Sequence, residues 1–495
     1  MIYTVAPSPL DLNRLWAGTD DGLIHLTTDG GKNWKDVTPP AISAWQKISL
    51  MDAGHFDQNT AYAAVNTLRL DDLRPHIYRT HDGGQTWKEI VKGIPDGQTV
   101  NVVREDPQRK GLLFAGTERA VYVSFNDGDD WQSLRLNMPA TSVRDLIIKD
   151  DDVAVATHGR GFWILDNITS LRQCKSDNQE TVLFRPQTAL RIRSSLNTDT
   201  PLPPDEPTGQ NPPDGAIIDY YLSPNSAGPI TLEIKDGKGK VVRRFASDDP
   251  IPPIDPELNI PTYWIRPPQT LGNRPGLHRF LWDMHYPPVP GIEPEYPISA
   301  VYRKTAPNAT SPWIVPGDYS VVLTVSGKSY SQPLTVKLDP RVKASPADLT
   351  EQFEQSKKLS DNWEALQRID NRLKSLNTEL AKAKEHVGEN AVAAQMEALN
   401  KKLQEIAGPP VRPGVPLRLE VLQKLESLFA DMQRVDVAPT PSLRAAVAEI
   451  VSVAPSAMQR WQAVESQDLP ALNRQLEAAG FKPIQIPDKK IGRGD

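Results

Sequence analysis

Side chains able to hold an anion or move a proton gather at four short stretches of this chain. These are Asp20-Asp21-Gly22, the group Asp71, Asp72, Arg74 and His76, the pair Glu118-Arg119, and His158-Gly159-Arg160-Gly161. Two carboxylates flanking a glycosidic bond hydrolyse it when they stand ~5 Å or ~6.5–9.5 Å apart. Asp20, Asp21, Asp72 and Glu118 supply enough carboxylates, but sequence does not supply their separation. In His-Gly-Arg-Gly the glycines let a cation project with the backbone close behind it. An arginine so placed suits a carboxylate through a charge-assisted, bidentate contact. Plainer readings stand beside these: Asp-Asp-Gly as an ordinary turn, Glu-Arg as a solvated pair, and Arg160 or His158 as a brace for a neighbouring sheet.

What positions these groups is a repeat. TTDGGKNW at 27–34 returns as THDGGQTW at 80–87 and, worn, as SFNDGDDW at 124–131. Units recurring at about this period are propeller blades or solenoid repeats, because one unit cannot bury its own apolar face. Each copy follows an alternating run, LIHLT, HIYRT or VYVS, which reads as a strand running into a tight turn. Asp29 and Asp82 can accept hydrogen bonds from their own turns, capped by Thr27 and Thr80. Gly31 and Gly84, each preceded by another glycine, tolerate positive φ, and Trp34, Trp87 and Trp131 open the next strand with a ring to pack. Ser124, Asn126 and Gly128 keep the same chemistry in the third copy.

Residues 1–170 thus predict four repeat units, the last without the turn motif. LWAGTDDGLIHLT, LLFAGTERAVYVS and VAVATHGRGFWIL align as one hairpin. That alignment places Asp20, Asp21, Glu118, Arg119, His158 and Arg160 at equivalent turns, with Arg74 and His76 in an insertion of the second unit. The DGG turns lie at the other end of the strands. Four such units form an open arc whose end faces stay apolar. The expectation is that missing blades come from upstream sequence, which is favoured, or from a second chain. MIYTVAPSP itself reads as the inner strand of a blade already under way.

The repeated turn resembles the Asp-box (BNR) repeat, S/T-x-D-x-G-x-T/S-W, of sialidases, sortilin-type receptors and many bacterial propellers. The order of propeller, β-sandwich and helices is similar to the C-terminal half of bacterial Asp-box proteins called glycosyl hydrolases or sortilin-like. ATHGRGFWILD at 156–166 is similar to that family's last-blade segment. The resemblance implies that Thr27, Asp29, Gly31, Trp34 and their counterparts are scaffold. It implies either a peptide-binding or a glycan-hydrolysing propeller, and an exported location, periplasmic or extracellular. A sialidase would want an arginine trio and a Tyr–Glu pair. Arg74, Arg119 and Arg160 imitate the trio, but no Tyr–Glu pair accompanies them.

Beyond the repeats, residues 171–214 predict a Pro-rich linker with one strand, TVLFRPQTALRI. Residues 215–340 change to short alternating strands, AIIDYYL, ITLEIKD, GKVVRRF, GLHRFLWDM, DYSVVLTV and SQPLTVKL, which suit an immunoglobulin- or fibronectin-like sandwich. Residues 346–480 change period again. Leu359, Trp363, Leu366, Ile369, Leu373, Leu376 and Leu380 form a helical stripe, followed by shorter stripes around Met396, Leu425 and Val447. A helical bundle is predicted there, with a loose tail at 481–495.

The chain carries 62 acidic against 56 basic residues, and no basic stripe interleaved with aromatics, so a nucleic-acid partner is not expected. The one cysteine, Cys174, excludes an internal disulfide framework. No apolar run approaches the ~20 residues of a membrane span. No HExxH, CxxC, Walker loop or GxSxG occurs, so neither a metal nor a cofactor is expected. The sequence therefore points to a multidomain, mainly β protein: a partial propeller, a sandwich and a bundle. Its first expected function is binding or scaffolding, with a peptide or glycan on the propeller face. Glycoside hydrolysis with part of the active site outside this chain is the alternative.

Overall fold

The computed structural model describes residues 1–175, 180–193, 209, 212–226, 228–251, 254, 257–258, 260–290, 294–297, 303–387, 391–408 and 419–486. Most of the Pro-rich tract at 201–215 and the end of the tail lie outside the described residues, as do residues 409–414 between the second and third helices. The chain divides into two compact units. The first holds Met1–Gln187 with Asp219–Asn225 and Pro275–Leu277. The second holds Thr188–Ile218, Ser226–Arg274 and His278–Asp495.

The first unit is built from four consecutive antiparallel meanders. Strands β1 (Ile2–Pro7), β2 (Leu15–Thr19), β3 (Ile24–Thr27) and β4 (Lys35–Asp36) make the first sheet. The second comprises β5 (Lys47–Ala53), β6 (Ala61–Asn66), β7 (Ile77–Thr80) and β8 (Lys88–Glu89). The third has β9 (Val100–Glu105), β10 (Leu113–Thr117), β11 (Val121–Ser124) and β12 (Gln132–Ser133). The fourth stops at three strands, β13 (Val143–Lys149), β14 (Asp152–Thr157) and β15 (Phe162–Leu165). Helix α1 (Thr169–Gln173) and β16 (Val182–Leu183) follow.

Strand side chains alternate faces, and here both faces of the middle sheets are apolar, so the sheets stack. Trp16, Ile24 and Leu26 of the first sheet share a core with Met51, Ala63 and Tyr78 of the second. Tyr62, Ala64 and Ile77 meet Val103, Ala115 and Tyr122 of the third. Phe114, Val121 and Val123 meet Leu146, Val153 and Val155 of the fourth. The outward faces of the end sheets are exposed and apolar: Val5 on β1, Ile147 on β13, and Phe162 and Ile164 on β15.

The three DGG-type turns share one hydrogen-bond pattern. Thr27 Oγ1 donates to Asp29 Oδ1 (2.9 Å) and accepts from the Gly31 N–H (3.0 Å), while Asp29 Oδ1 accepts from the Asn33 N–H (2.9 Å). Thr80, Asp82, Gly84 and Thr86 repeat this at 2.8, 3.0 and 2.8 Å. Ser124, Asn126, Gly128 and Asp130 repeat it at 3.0, 2.9 and 3.0 Å, so the amide oxygen of Asn126 does the carboxylate's work. These bonds pull Asp29 and Asp82 each to a pKa of about 2, chiefly through Asn33 and Thr86 respectively.

In the second unit a five-stranded sheet runs β17 (Ala189–Arg191), β23 (Lys328–Leu338), β22 (Gly317–Val325), β19 (Ile230–Asp236) and β20 (Val241–Ala246). Strands β18 (Ala216–Leu222) and β21 (Gly276–Trp282) are divided between the two units' residues, and Phe280 and Trp282, in the second unit's part of β21, meet Phe245 and Tyr319 edge-on at 4.7 and 6.1 Å. The single strand read at 181–192 is two short ones, β16 and β17. Pro186 lies in the gap, where a residue without an N–H cannot join a ladder. Among the described residues five helices follow: α2 (Pro346–Val387), α3 (Ala391–Ala407), α4 (Glu420–Gln433), α5 (Pro441–Ala463) and α6 (Leu469–Ala478). Ser345 and Asp348 cap α2 reciprocally at 3.0 and 3.2 Å. The stripes at Leu359–Leu380, Met396, Leu425 and Val447 fall in one buried cluster. Sheet and helices are tied by Asp436, which accepts from Arg191 (2.7 Å) and Arg193 (2.8 Å). The Trp313 ring has both guanidiniums over it, at 5.1 and 4.5 Å, and stacks with His285 at 5.1 Å.

Candidate binding cleft

The hairpin register places the candidate turns as one row. The N–H groups of Asp20, Glu118 and His158 donate to the carbonyls of Met1 (3.0 Å), Thr99 (3.0 Å) and Ser142 (2.8 Å). Asn66, paired with Lys47, takes the same place in the second sheet. The row is therefore Asp20, Asn66, Glu118 and His158, one residue from each sheet.

A second row runs beside it. Each inner strand is irregular at its second or third residue: between Ile2 and Thr4, Ile48 and Leu50, opposite Gly116 and Thr117, and between Val143 and Asp145. A bulge re-aims the extra side chain, and the residues so placed are Tyr3, Ser49, Asn101 and Arg144. The two rows join. Asn66 Nδ2 donates to Asn101 Oδ1 (2.6 Å), and Asn101 Nδ2 donates to Glu118 Oε1 (3.0 Å) and to the Val143 carbonyl (2.9 Å). Arg144 closes on the same Glu118 oxygen at 3.1 Å. Ser49 Oγ donates to the Asn101 carbonyl at 2.9 Å.

At the first two sheets this end opens into a cleft of about 270 Å³ lined by Asp20, Trp45, Lys47, Asn66, Arg69 and Leu70. Lys47 Nζ sits 3.8 Å from the centre of the Tyr3 ring. Its ammonium draws the Tyr3 phenol below the ordinary range, and Arg69 and Arg144 add to the effect. Trp45 is held at φ 72°, a region that bulky side chains rarely occupy. Its N–H donates to the Asp21 carbonyl (2.9 Å), and its side chain is 67% exposed. A strained, exposed indole beside the two cations Lys47 and Arg69 is a surface suited to an anionic or ring-bearing ligand.

The other candidates lie differently. Asp20 lines the cleft, paired with the Met1 amine, and Asp21 contributes its carbonyl to Trp45. Arg74 is spent on Asp72, a two-point contact at 2.9 and 2.8 Å that holds Asp72 far below the carboxylate range. His76 bridges Asp72 (3.2 Å) and Glu89 (2.7 Å). These form a local ion cluster apart from the cleft-lining set. Arg119, His158 and Arg160 are exposed. Gly159 and Gly161 take φ of 80° and 69°, and Trp163 Nε1 donates to the Arg160 carbonyl (3.0 Å), which fixes the turn.

Sequence reasoning missed Tyr3, Trp45, Lys47, Asn66, Arg69, Asn101 and Arg144. Only the alignment of inner-strand starts carried a signal for Tyr3, Asn101 and Arg144. It also missed a carboxylate pair at the opposite strand ends. Asp52 Oδ2 accepts from the Glu105 N–H (2.8 Å), and Glu105 accepts from the His55 and Gly111 N–H groups (2.8 and 3.2 Å). Burial pushes both carboxyls up, yet each is closed in by protein donors, including Arg104 on Asp52 at 3.1 Å. Among the described residues no cluster of His, Cys, Asp or Glu could hold a metal, and no helix is long and apolar enough to cross a membrane.

No family model and no curated protein matches the chain. Among solved structures it is similar in part to YCF48 bound to D1 peptide, at 18% identity over 33% of this chain and 51% of that one, TM-score 0.27. YCF48 from Cyanidioschyzon merolae is similar at 19% identity over 34% and 53%, TM-score 0.26. The Niastella koreensis GH74 enzyme is similar at 13% identity over 44% of this chain and 28% of that chain, TM-score 0.28. The chain thus spans about half the length of the YCF48 proteins and less of the GH74 enzyme.

Proposed function

We propose that this chain is a binding or scaffold protein of the Asp-box propeller type, whose four sheets are blades and whose cleft holds an acidic peptide or glycan. The observation that carries the reading is the cleft that sets Lys47 and Arg69 beside the exposed Trp45, with Lys47 against the Tyr3 ring, at the end of the unit where Asp20, Asn66, Glu118 and His158 align. Glu118 is occupied by Asn101 and Arg144, which favours holding a ligand over donating a proton to one. The immunoglobulin-like 215–340 region and the 346–480 bundle serve as accessory domains, and further blades from upstream sequence or a second chain extend the arc. An exported location belongs to the same proposal.

The test is titration calorimetry with short acidic peptides and with sialylated or uronic-acid oligosaccharides, against the chain and its Arg69→Ala variant. Binding that weakens at least tenfold in the variant supports the reading. Turnover of a glycan, seen as released reducing ends, would replace it with hydrolysis. Binding of no probe, or equal binding by both proteins, would refute it.

A further inference from the structure

The exposed face of the first sheet has two built counterparts inside the same unit. Where the second sheet meets the first, Trp87 Nε1 donates to the Val37 carbonyl (2.8 Å), and Gly84 is so close that an added Cβ would lie 2.7 Å from Val37 Cβ. Where the third meets the second, Trp131 Nε1 donates to the Ile90 carbonyl (2.8 Å), and a Cβ on Gly128 would lie 2.3 Å from Ile90 Cδ1. Val37 and Ile90 each follow the outermost strand of the preceding sheet, directly after β4 and β8. Each interface is thus a tryptophan and a glycine from one turn gripping the residue behind its neighbour's outer strand.

Among the described residues, nothing fills the same grip on the first sheet. Trp34 is 43% exposed, against 4% for Trp131. A Cβ on Gly31 would meet only the Trp34 ring, at 3.9 Å. Val5, which pairs with Ala17 as Met51 pairs with Ala63 and Val103 with Ala115, is 51% exposed where those two are 1% and 0%.

We infer that this face docks a further four-stranded blade of the same repeat, whose post-strand apolar residue offers its carbonyl to Trp34. A second copy of this chain does not fit. Its Val37 and Ile90 carbonyls are already taken by Trp87 and Trp131, Leu134 behind β12 packs toward the fourth sheet, and among the described residues that sheet has no strand beyond β15. The occupant is therefore a blade outside these 495 residues. The inference rests on the propeller reading and is independent of the ligand proposed for the cleft.

The experiment supplies the blade. The Thr99 and Met1 carbonyls accept equivalent hydrogen bonds, from Glu118 and Asp20, so a copy of residues 46–98 joined ahead of Met1 keeps the register and presents a second Ile90 to Trp34. Trp34→Ala and Val5→Asp are made in the natural chain and in the extended one, and melting temperatures are compared. Both should leave the natural chain within a degree or two and lower the melting of the extended chain by roughly 5–10 °C. Equal effects in both backgrounds, or none in either, overturn the inference. So does sedimentation of the natural chain as a dimer that Val5→Asp dissolves, since a second copy would then be the occupant. Docking of the added blade with no binding of acidic probes would remove only the cleft's ligand.

Discussion

Asp82 tests whether the repeated turn is scaffold. Its Oδ1 accepts from Thr80 Oγ1 and the Thr86 N–H, both at 2.8 Å, and its Oδ2 accepts from Thr86 Oγ1 at 2.6 Å. Asp82→Ala removes all three. Each is worth ~0.5–1.5 kcal/mol net, and the freed groups of this partly exposed turn regain water, so the loss should be about 1–2 kcal/mol. For a unit of this size that lowers melting by roughly 2–8 °C. Asp82→Asn should cost under ~0.5 kcal/mol at neutral pH, because Asn126 accepts the corresponding bonds at 3.0 Å in the third turn. Acid separates the two further. The folded pKa of about 2 lies below the ordinary 3.8, so the charged form's contribution is complete above the unfolded value and disappears as pH falls through the folded one. Asp82→Asn should flatten that part of the stability profile between about pH 4 and 2. Scanning calorimetry from pH 7 to 2 reads both effects. An Asn variant as unstable as the Ala variant would refute the local-bond argument. Loss of ligand binding with unchanged melting would refute the scaffold role itself.

Four further outcomes follow from the same geometry. Arg160→Ala should leave melting unchanged, since the side chain is exposed; a drop in melting would make it a brace. Asp436→Ala should cost about 3–5 kcal/mol, because it strands the buried Arg191; calorimetry showing under ~1 kcal/mol would mean that the guanidinium finds other partners. Cys174 should react slowly with iodoacetamide at pH 8, because burial pushes its thiol up to about 11, and alkylation as fast as that of free cysteine would contradict this. Residues 346–480 alone should give a helical far-UV spectrum from their shared apolar stripes, whereas a coil spectrum would show that the helices need the rest of the chain or a partner.

The turns and the helices were legible because their determinants are local. Thr27, Asp29, Gly31 and Asn33 satisfy one another within seven residues, so the spelling of the turn is its structure. The stripe Leu359–Leu380 likewise carries its own period, and it is buried as that period requires. The common hairpin puts Asp20, Glu118 and His158 at equivalent turns, and their N–H groups donate to equivalent carbonyls. What the sequence could not show is which of these turns is joined to what. Arg74 sits two residues from Asp72 and is consumed by it, while Arg144 reaches Glu118 across 26 residues through a strand bulge that has no spelling of its own. Lys47, Arg69 and Tyr3 form one electrostatic group only because two sheets stack. The same holds for Asp436, whose arginine partner lies 245 residues away. Local hydrogen bonding and periodicity are written in consecutive residues, whereas a cleft and a buried ion pair are made by which faces pack together, and only the tertiary structure decides that.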